Sequence, residues 1–407
     1  MSKSKYKHLE EVREIIETCY RCGDCRAAVR PAVGRYGVCP VYESVPGKWE
    51  PFFARGKIVL ATGLLKGEIE PSQNLADIVF QCMICGSCKS ICNASYHPLL
   101  QHPISQIMDQ PKIWEALRAE LIDAGFALPK HTEIFENCEK FNNPYAEDHQ
   151  ARIKWVPEQK TFPEVAENVL FMGCTEPYRM PKILQNITRI LDQANVDYTI
   201  MGLEEWCCGS IAFRTGNLEL ARKFAMHNYE AFKTVKATRV ITHCAGCYRT
   251  LKKDYPTLIP DFKLTVVHIT EVIQELLENG QLKLTKPVQR KVTYHDPCHL
   301  GRHMKVYEAP RYILQHIPGL EFVEMQRIKE NAWCCGAGAG VKSGFSELAL
   351  EIAKKRIMEA METGADTIVT TCPFCLRNLE DAVKALGSAC SIEVLDLLEL
   401  VLLALGD

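Results

Sequence analysis

The tetrapeptide Trp206-Cys207-Cys208-Gly209 returns as Trp333-Cys334-Cys335-Gly336, and this repetition constrains the fold more than any other feature of the chain. Each copy sits inside the same larger pattern. The first runs Cys174, Cys207-Cys208, then Cys244-x2-Cys247; the second runs Cys298, Cys334-Cys335, then Cys372-x2-Cys375. Equivalent cysteines lie 124 (Cys174 to Cys298), 127 (Cys207 to Cys334) and 128 residues apart (Cys244 to Cys372), which marks an internal duplication.

Two adjacent cysteines form a disulfide only in a strained ring, and they chelate one small ion such as zinc poorly. They can instead hold two different irons of one cluster. Five thiolates are also one more than a tetrahedral zinc site or a cubane takes, so the surplus points to an iron-sulfur cluster of unusual shape. The bland alternative is a pair of buried zinc sites with stray cysteines, and the ligand count speaks against it.

The remaining cysteines extend the metal reading. Of twenty in the chain, eighteen fall into four clustered sets, which suits metal ligation in a reducing compartment; Cys138 and Cys390 are left over as ordinary thiols. A helical face of Leu9, Val12, Ile15 and Ile16 leads into Cys19-x2-Cys22-x2-Cys25, with Cys39 and Pro40 beyond. A second helix, Leu75 to Phe80, leads into Cys82-x2-Cys85-x2-Cys88-x3-Cys92. This spacing wraps a cubane [4Fe-4S] cluster in two-cluster ferredoxins, where the fourth cysteine of each run serves the other cluster. Cys19, Cys22 and Cys25 are therefore expected to pair with Cys92, and Cys82, Cys85 and Cys88 with Cys39. Two departures stand out: thirteen residues separate Cys25 from Cys39, and Asn93 replaces the usual proline. The insertion, which holds Pro31, Gly34 and Gly37, reads as a loop bulging between ligands. Gly23 and Gly86 let the backbone turn over the sulfurs.

From Pro98 to about Pro163 no ligand pattern occurs; one helix, Lys112 to Ala124, lies in what reads as a packing linker. At Asn168 short apolar runs begin to alternate with amphipathic helices, as in α/β units. Val169–Gly173 and Val240–His243 read as strands that deliver Cys174 and Cys244; Val292–His295 and Thr367–Thr370 deliver Cys298 and Cys372. Such cysteines lie at the carboxyl edge of a parallel sheet, where open α/β sheets place ligands, and the two halves are expected to face each other across a cleft. The chain closes with a helix read over Val394 to Leu405. The fold class expected is α+β multidomain: an all-α two-cluster ferredoxin domain (1–100), a linker (101–163) and two duplicated α/β cysteine-rich modules (164–290 and 291–407).

Bulk properties add limits. With 407 residues and 47% hydrophobic content the chain can bury two or three cores. A net charge of −2 without long runs of one sign calls for no nucleic acid. The start, Met1 to His8, has no apolar stretch after its lysines, and Leu397 to Leu405 is too short to span a bilayer. A cytoplasmic protein is expected, held at the inner face of a membrane only through a partner.

The pattern C…CCG…CxxC, twice, behind ferredoxin-type runs resembles the catalytic D-type subunit of heterodisulfide reductase, or a fusion of that family's separate C and B subunits. The likeness extends to Glu205-Trp-Cys-Cys-Gly-Ser210, Cys244-Ala-Gly-Cys247 and Tyr294-His-Asp-Pro-Cys-His-Leu-Gly-Arg-His303. It implies two cubane clusters and two non-cubane [4Fe-4S] clusters, each non-cubane cluster held by one set of five cysteines. It also implies an electron-transferring partner subunit, of membrane cytochrome b or flavoprotein type, in a hetero-oligomeric complex. Some members of the family reduce the mixed disulfide of coenzymes M and B. Others are iron-sulfur subunits of glycolate or lactate oxidases or of quinone-linked membrane complexes, and both readings stay open.

Breaking a disulfide takes two electrons, whereas cubanes pass one at a time, so two cubanes feeding two special clusters suits the arithmetic. On that reading the disulfide sits between the non-cubane clusters and each sulfur is taken by iron as thiolate. His295, His299 and His303 flank Cys298 and could supply protons, or equally hydrogen-bond cluster sulfurs. Arg179, Arg214, Arg249, Arg302 and Lys342 lie near the motifs, and two or three of them are expected to contact anionic substrate groups. Gly336 to Gly340 is better explained by close backbone approach to a cluster than by a nucleotide.

Overall fold

The computed structural model describes residues 5–30, 34–92 and 108–405. Pro31, Asn93 and the first part of the linker lie outside them. The chain divides into two compact units. One comprises residues 1–133, 211–218 and 326–356; the other comprises 134–210, 219–325 and 357–407.

The first unit is mainly helical. Helices Ala54–Lys66, Gln73–Phe80 and Gln110–Asp123 pack their apolar faces into one core through Ile58, Leu64, Leu75, Val79, Trp114, Leu117 and Leu121. Ser72 caps the second of these by accepting from Leu75 N at 3.3 Å, and Gly67 ends the first in a left-handed turn. The helix expected at the N-terminus is broken into Lys7–Glu10 and Arg13–Glu17, because Val12 leaves helical geometry at ψ 13° while still burying its side chain. The insertion after Cys25 is not only a loop. It carries an antiparallel hairpin, β1 (Ala27–Arg30) against β2 (Gly34–Gly37), in an otherwise helical domain. Ala28 and Val38 turn inward there to meet Ile91.

The second unit holds two parallel sheets of four strands. In the first, β3 (Asn168–Leu170), β4 (Tyr198–Thr199), β5 (Arg239–Thr242) and β6 (Thr265–His268) stand in the order β4-β3-β5-β6. In the second, β7 (Lys291–Tyr294), β8 (Glu321–Phe322), β9 (Thr367–Thr370) and β10 (Glu393–Asp396) stand in the order β8-β7-β9-β10, the same topology. In both sheets the first and third strands are neighbours, so the winding reverses between them, and a crevice opens at their carboxyl ends. Central-strand residues such as Val169, Val240, Val292 and Ile368 are fully buried, as strands covered on both faces must be. Helix Pro181–Gln193 starts on its proline and buries Ile183, Ile187, Ile190 and Leu191.

The chain end corrects the sequence reading. Residues 393–396 form β10, and the helix begins only at Leu397. The cause is a capping box: Asp396 Oδ1 accepts from Leu398 N at 3.0 Å, and Glu399 Oε1 accepts from Asp396 N at 3.3 Å. His268 and Glu271 start helix Ile269–Glu278 in the same way after β6. Among the described residues no helix is long and apolar enough to cross a membrane.

Candidate metal centres

In the first unit the eight ferredoxin-type cysteines surround two cavities. One is lined by Cys39, Cys82, Cys85 and Cys88. The other is lined by Cys19, Cys22, Cys25 and Cys92. The fourth cysteine of each run thus lies with the first three of the other. The two loops share a backbone shape: Arg21 and Gly23 in one, and Ile84 and Gly86 in the other, all have left-handed φ between 51° and 90°. Successive turns of this kind point N–H groups at a common centre, where sulfide or thiolate would accept them. Glycine adopts that shape freely; Ile84 holds it only under the packing around it. Burial pushes the Cys25 and Cys39 thiols up to about 12 and Cys88 well above the usual range. Four soft donors crowded around one cavity, with burial disfavouring the charged form of Cys25, Cys39 and Cys88, fit a thiolate-bound metal cluster.

The first set of five cysteines lies wholly in the second unit. Cys174 follows β3 and starts helix Thr175–Arg179; Cys244 follows β5 and starts helix Ala245–Arg249, whose first turns carry Cys247. All five are buried. The adjacent pair divides its contacts, with Cys207 Sγ 3.8 Å from Cys174 Sγ and Cys208 Sγ 3.3 Å from Cys247 Sγ. That split is the geometry the two-iron argument requires. Hydrogen bonds from Cys207 and Cys247 draw the Cys208 thiol down to about 6.

The surroundings hold this set rigidly. Asn228 accepts from Trp206 N at 2.9 Å and donates to Cys207 O at 3.0 Å, while Tyr255 donates to Cys208 O at 3.2 Å. The loop after β3 is clamped by buried Glu205, which accepts from Met172 N at 3.0 Å and Gly173 N at 2.8 Å and is itself paired with buried Arg152. Gly173 is required here, since its φ is +70° and a Cβ would stand 3.1 Å from Cys247 Sγ. Cys138, read from sequence as an ordinary thiol, is buried close enough to Cys174 and Cys208 for their charges to reinforce burial in raising its pKa. Its spacing carries no signal that could have placed it there.

The second set is distributed between the units. Cys298, Cys372 and Cys375 belong to the second unit, where Cys298 follows β7 and Cys372 starts helix Pro373–Leu386 after β9. Cys334 and Cys335 belong to the first unit, where Gly336 N points at Cys334 Sγ over 3.4 Å and Trp333 Nε1 donates to Ile352 O at 3.0 Å.

Within the second unit the carboxyl edges of the two sheets meet. Cys244 shares a hydrogen bond with Cys372. Beside them His243 Nε2 lies 2.8 Å from Asp396 Oδ2, and His243 Nδ1 lies 3.5 Å from Glu176 Oε1. Burial lowers the affinity of His243 for a proton, but Asp396 and then Glu176 override it and raise the imidazole to about 10. Arg249 Nη1 reaches His299 Nε2 at 3.4 Å and His303 Nε2 at 3.5 Å. His295 is fully buried after β7. Of the cations singled out in the sequence, Arg249 and Arg302 are buried in this unit, whereas Arg179 pairs with Glu147 and Arg214 with Glu115. The His243 carboxylate pair went unnoticed in the sequence because Asp396 is 153 residues away.

Comparison with known proteins agrees with this arrangement. Residues 14–96 match the model of a 4Fe-4S dicluster domain, and residues 168–252 and 292–380 each match that of a cysteine-rich domain named CCG. The D subunit of the dihydromethanophenazine:CoB–CoM heterodisulfide reductase of Methanosarcina barkeri is 36% identical over 96% of this chain and 94% of its own length. An EtfAB:quinone oxidoreductase of Syntrophomonas wolfei is 32% identical over 80% of this chain but only 46% of its own. A hypothetical protein from Helicobacter pylori shares the fold at a TM-score of 0.53, with 10% identity over 91% of this chain and 71% of its own.

Fold and site together define an iron-sulfur oxidoreductase with an N-terminal dicluster part and a duplicated cysteine-rich part. More narrowly, the chain belongs to the family of heterodisulfide reductase D subunits.

Proposed function

We propose that this protein is the disulfide-reducing component of a hetero-oligomeric complex, acting on a mixed disulfide of the coenzyme M–coenzyme B kind. In this reading Cys19, Cys22, Cys25 and Cys92 hold one cubane cluster and Cys39, Cys82, Cys85 and Cys88 the other. The two sets of five cysteines hold the non-cubane clusters, in modules bounded near 164–290 and 291–407. When bound, the clusters supply single electrons and iron with affinity for thiolate sulfur.

The chain's own residues do the rest. Cys244 and Cys372 bring the two modules to one crevice, so both sulfurs of a disulfide can be reached without large motion. Arg249 and Arg302 orient the anionic ends of the substrate, and His299 and His303 either hold protons at their Nε2 atoms or steady Arg249. A partner, of cytochrome b or flavoprotein type, exchanges electrons with the ferredoxin part and would keep the chain at a membrane if that partner is embedded there.

The single observation that carries this reading is the divided contact of Cys207 and Cys208 with Cys174 and Cys247. Its test is anaerobic turnover of the coenzyme M–coenzyme B disulfide with reduced viologen, beside a panel of other disulfides, on protein containing about sixteen irons per chain. Thiol release supports the reading. A fully loaded protein that leaves every disulfide intact supports a pure electron wire, which the likeness to a quinone oxidoreductase favours as second reading.

A further inference from the structure

The two four-cysteine cavities of the first unit differ in the charge built into their walls. The cavity at Cys39, Cys82, Cys85 and Cys88 is lined by Lys57, only 1% exposed, and, among the described residues, by no carboxylate. Arg118, wholly buried, donates to the carbonyl oxygen of Cys82 and to those of Val79 and Phe80, both at 3.1 Å. The cavity at Cys19, Cys22, Cys25 and Cys92 is lined by Arg21 and Arg55, but Asp24 lines it too and Arg55 is tied to Glu50. Cys22 is also exposed, so water screens that wall.

Adding an electron to a cluster adds one negative charge, and fixed cations in a dry wall stabilise that charge far more than screened, paired ones do. We propose that the cavity beside Lys57 and Arg118 holds its added electron more tightly than the cavity containing Cys22. The inference rests on the cubane reading above and gives it a direction. With clusters bound at both sites, an electron from the partner subunit would enter at the exposed Cys22 site and pass to the site beside Lys57, the first cluster returning to its oxidised state as the second is reduced, with no bond or proton changing hands.

The two cavities lie on either side of one helix, Ala54–Lys66, whose Ala54 and Lys57 line the first and whose Arg55 and Ile58 line the second, which keeps them close enough for this step. Onward connection runs through the same guanidinium. Arg118 Nη1 donates to Ala339 O at 2.9 Å and to Arg214 O at 2.7 Å, so Cys82 is joined within this unit to the segments that follow Cys335 and Cys208. Arg118 therefore acts as a positioning residue as well as a charge.

The experiment is a redox titration of the fully loaded protein followed by electron paramagnetic resonance, with an aqueous dysprosium chelate as relaxing agent. Cys22→Ser, which alters only its own cluster's signal, assigns the two. The cluster of higher potential should be the one unaffected by Cys22→Ser and least relaxed by dysprosium. Lys57→Met should make transfer between the clusters about tenfold less favourable, a downward shift of about 59 mV for one electron, while leaving the Cys22 cluster unmoved. Arg118→Gln should shift the same cluster the same way if the protein folds; Lys57→Met stands alone if it does not. Equal potentials, a higher potential at the Cys22 cluster, or a Lys57→Met shift in both or neither would overturn the ordering. Protein that assembles no pair of cubane signals despite full iron loading would remove the cubane reading itself, and the ordering with it.

Discussion

The two cysteine-rich halves share a strand order, the placement of cysteines after their first and third strands, and even the box that caps the helix after the fourth strand. They differ in what stands beside those cysteines. His243 precedes Cys244 where Thr371 precedes Cys372, His268 ends β6 where Asp396 ends β10, and Glu205 precedes its Trp-Cys-Cys where Ala332 precedes the other. Duplication supplied twin frames, and divergence then placed a buried ion pair, His243 with Asp396, on one side of their join and a neutral contact on the other. There His268 accepts no charge: burial and then the charge of His243 lower it to about 3, and it lies against the His243 and Thr371 backbones. Symmetric scaffolding can therefore carry an asymmetric field, which a substrate with two unlike ends would feel.

Four measurements can break or sharpen this contrast. The largest effect is expected at Glu205, which only the first half has. Glu205→Ala strands buried Arg152 and frees the loop before Cys174, so urea unfolding should show a loss of about 4 kcal/mol. Glu205→Gln, which keeps one acceptor oxygen for Gly173 N but turns the acceptor of Met172 N into a donor, should lose less than Glu205→Ala.

Next comes the ion pair at the join. The folded pKa of His243, about 10, lies above its ordinary 6.5, so its contribution is complete below pH 6.5 and is lost as pH rises through 10. His268 has the opposite sign: its folded value of about 3 makes the protein lose stability as pH falls below 6.5. Asp396→Asn should shrink the alkaline loss, on the order of 3 kcal/mol with the pair intact, to the part that Glu176 sustains, and leave the acid loss in place. Denaturation midpoints from pH 4 to 10 would reveal it; an unchanged alkaline limb would mean that His243 is neutral.

A smaller effect is expected at the cations proposed to meet substrate. Arg249→Gln should raise KM for an anionic disulfide about tenfold with little change in kcat, and Arg179→Gln, whose guanidinium is already paired with Glu147, should leave both within about twofold. Least of all should follow from Lys182→Ala. It removes an exposed ion pair at 2.9 Å between the halves, with Glu399, and such pairs contribute about 0–1 kcal/mol.

How much of this was legible in advance depended on whether the information was local. Cysteine spacing placed both ferredoxin loops, and apolar runs ending on cysteines placed β5, β7 and β9 within a residue and β3 at its start, because periodicity and turn chemistry act over short distances. Strand β3 ends at Leu170, three residues before the expected Gly173. The start of the last helix was missed for a local reason too: Asp396-x-x-Glu399 is a capping signal that apolar continuity from Val394 obscured. The hairpin in the insertion depended on burial of Ala28 and Val38 against Ile91, which lies some fifty residues on and shows no periodic link to them.

What the linear order of residues determined by itself was ligand chemistry: eighteen thiols, grouped in fours and fives, leave few alternatives to iron and sulfide. Only the tertiary structure decided which charges those sulfurs feel. Lys57, Arg118, His243 and Asp396 act through space across tens to hundreds of residues, and a Coulomb interaction depends on distance and dielectric, neither of which is written in sequence.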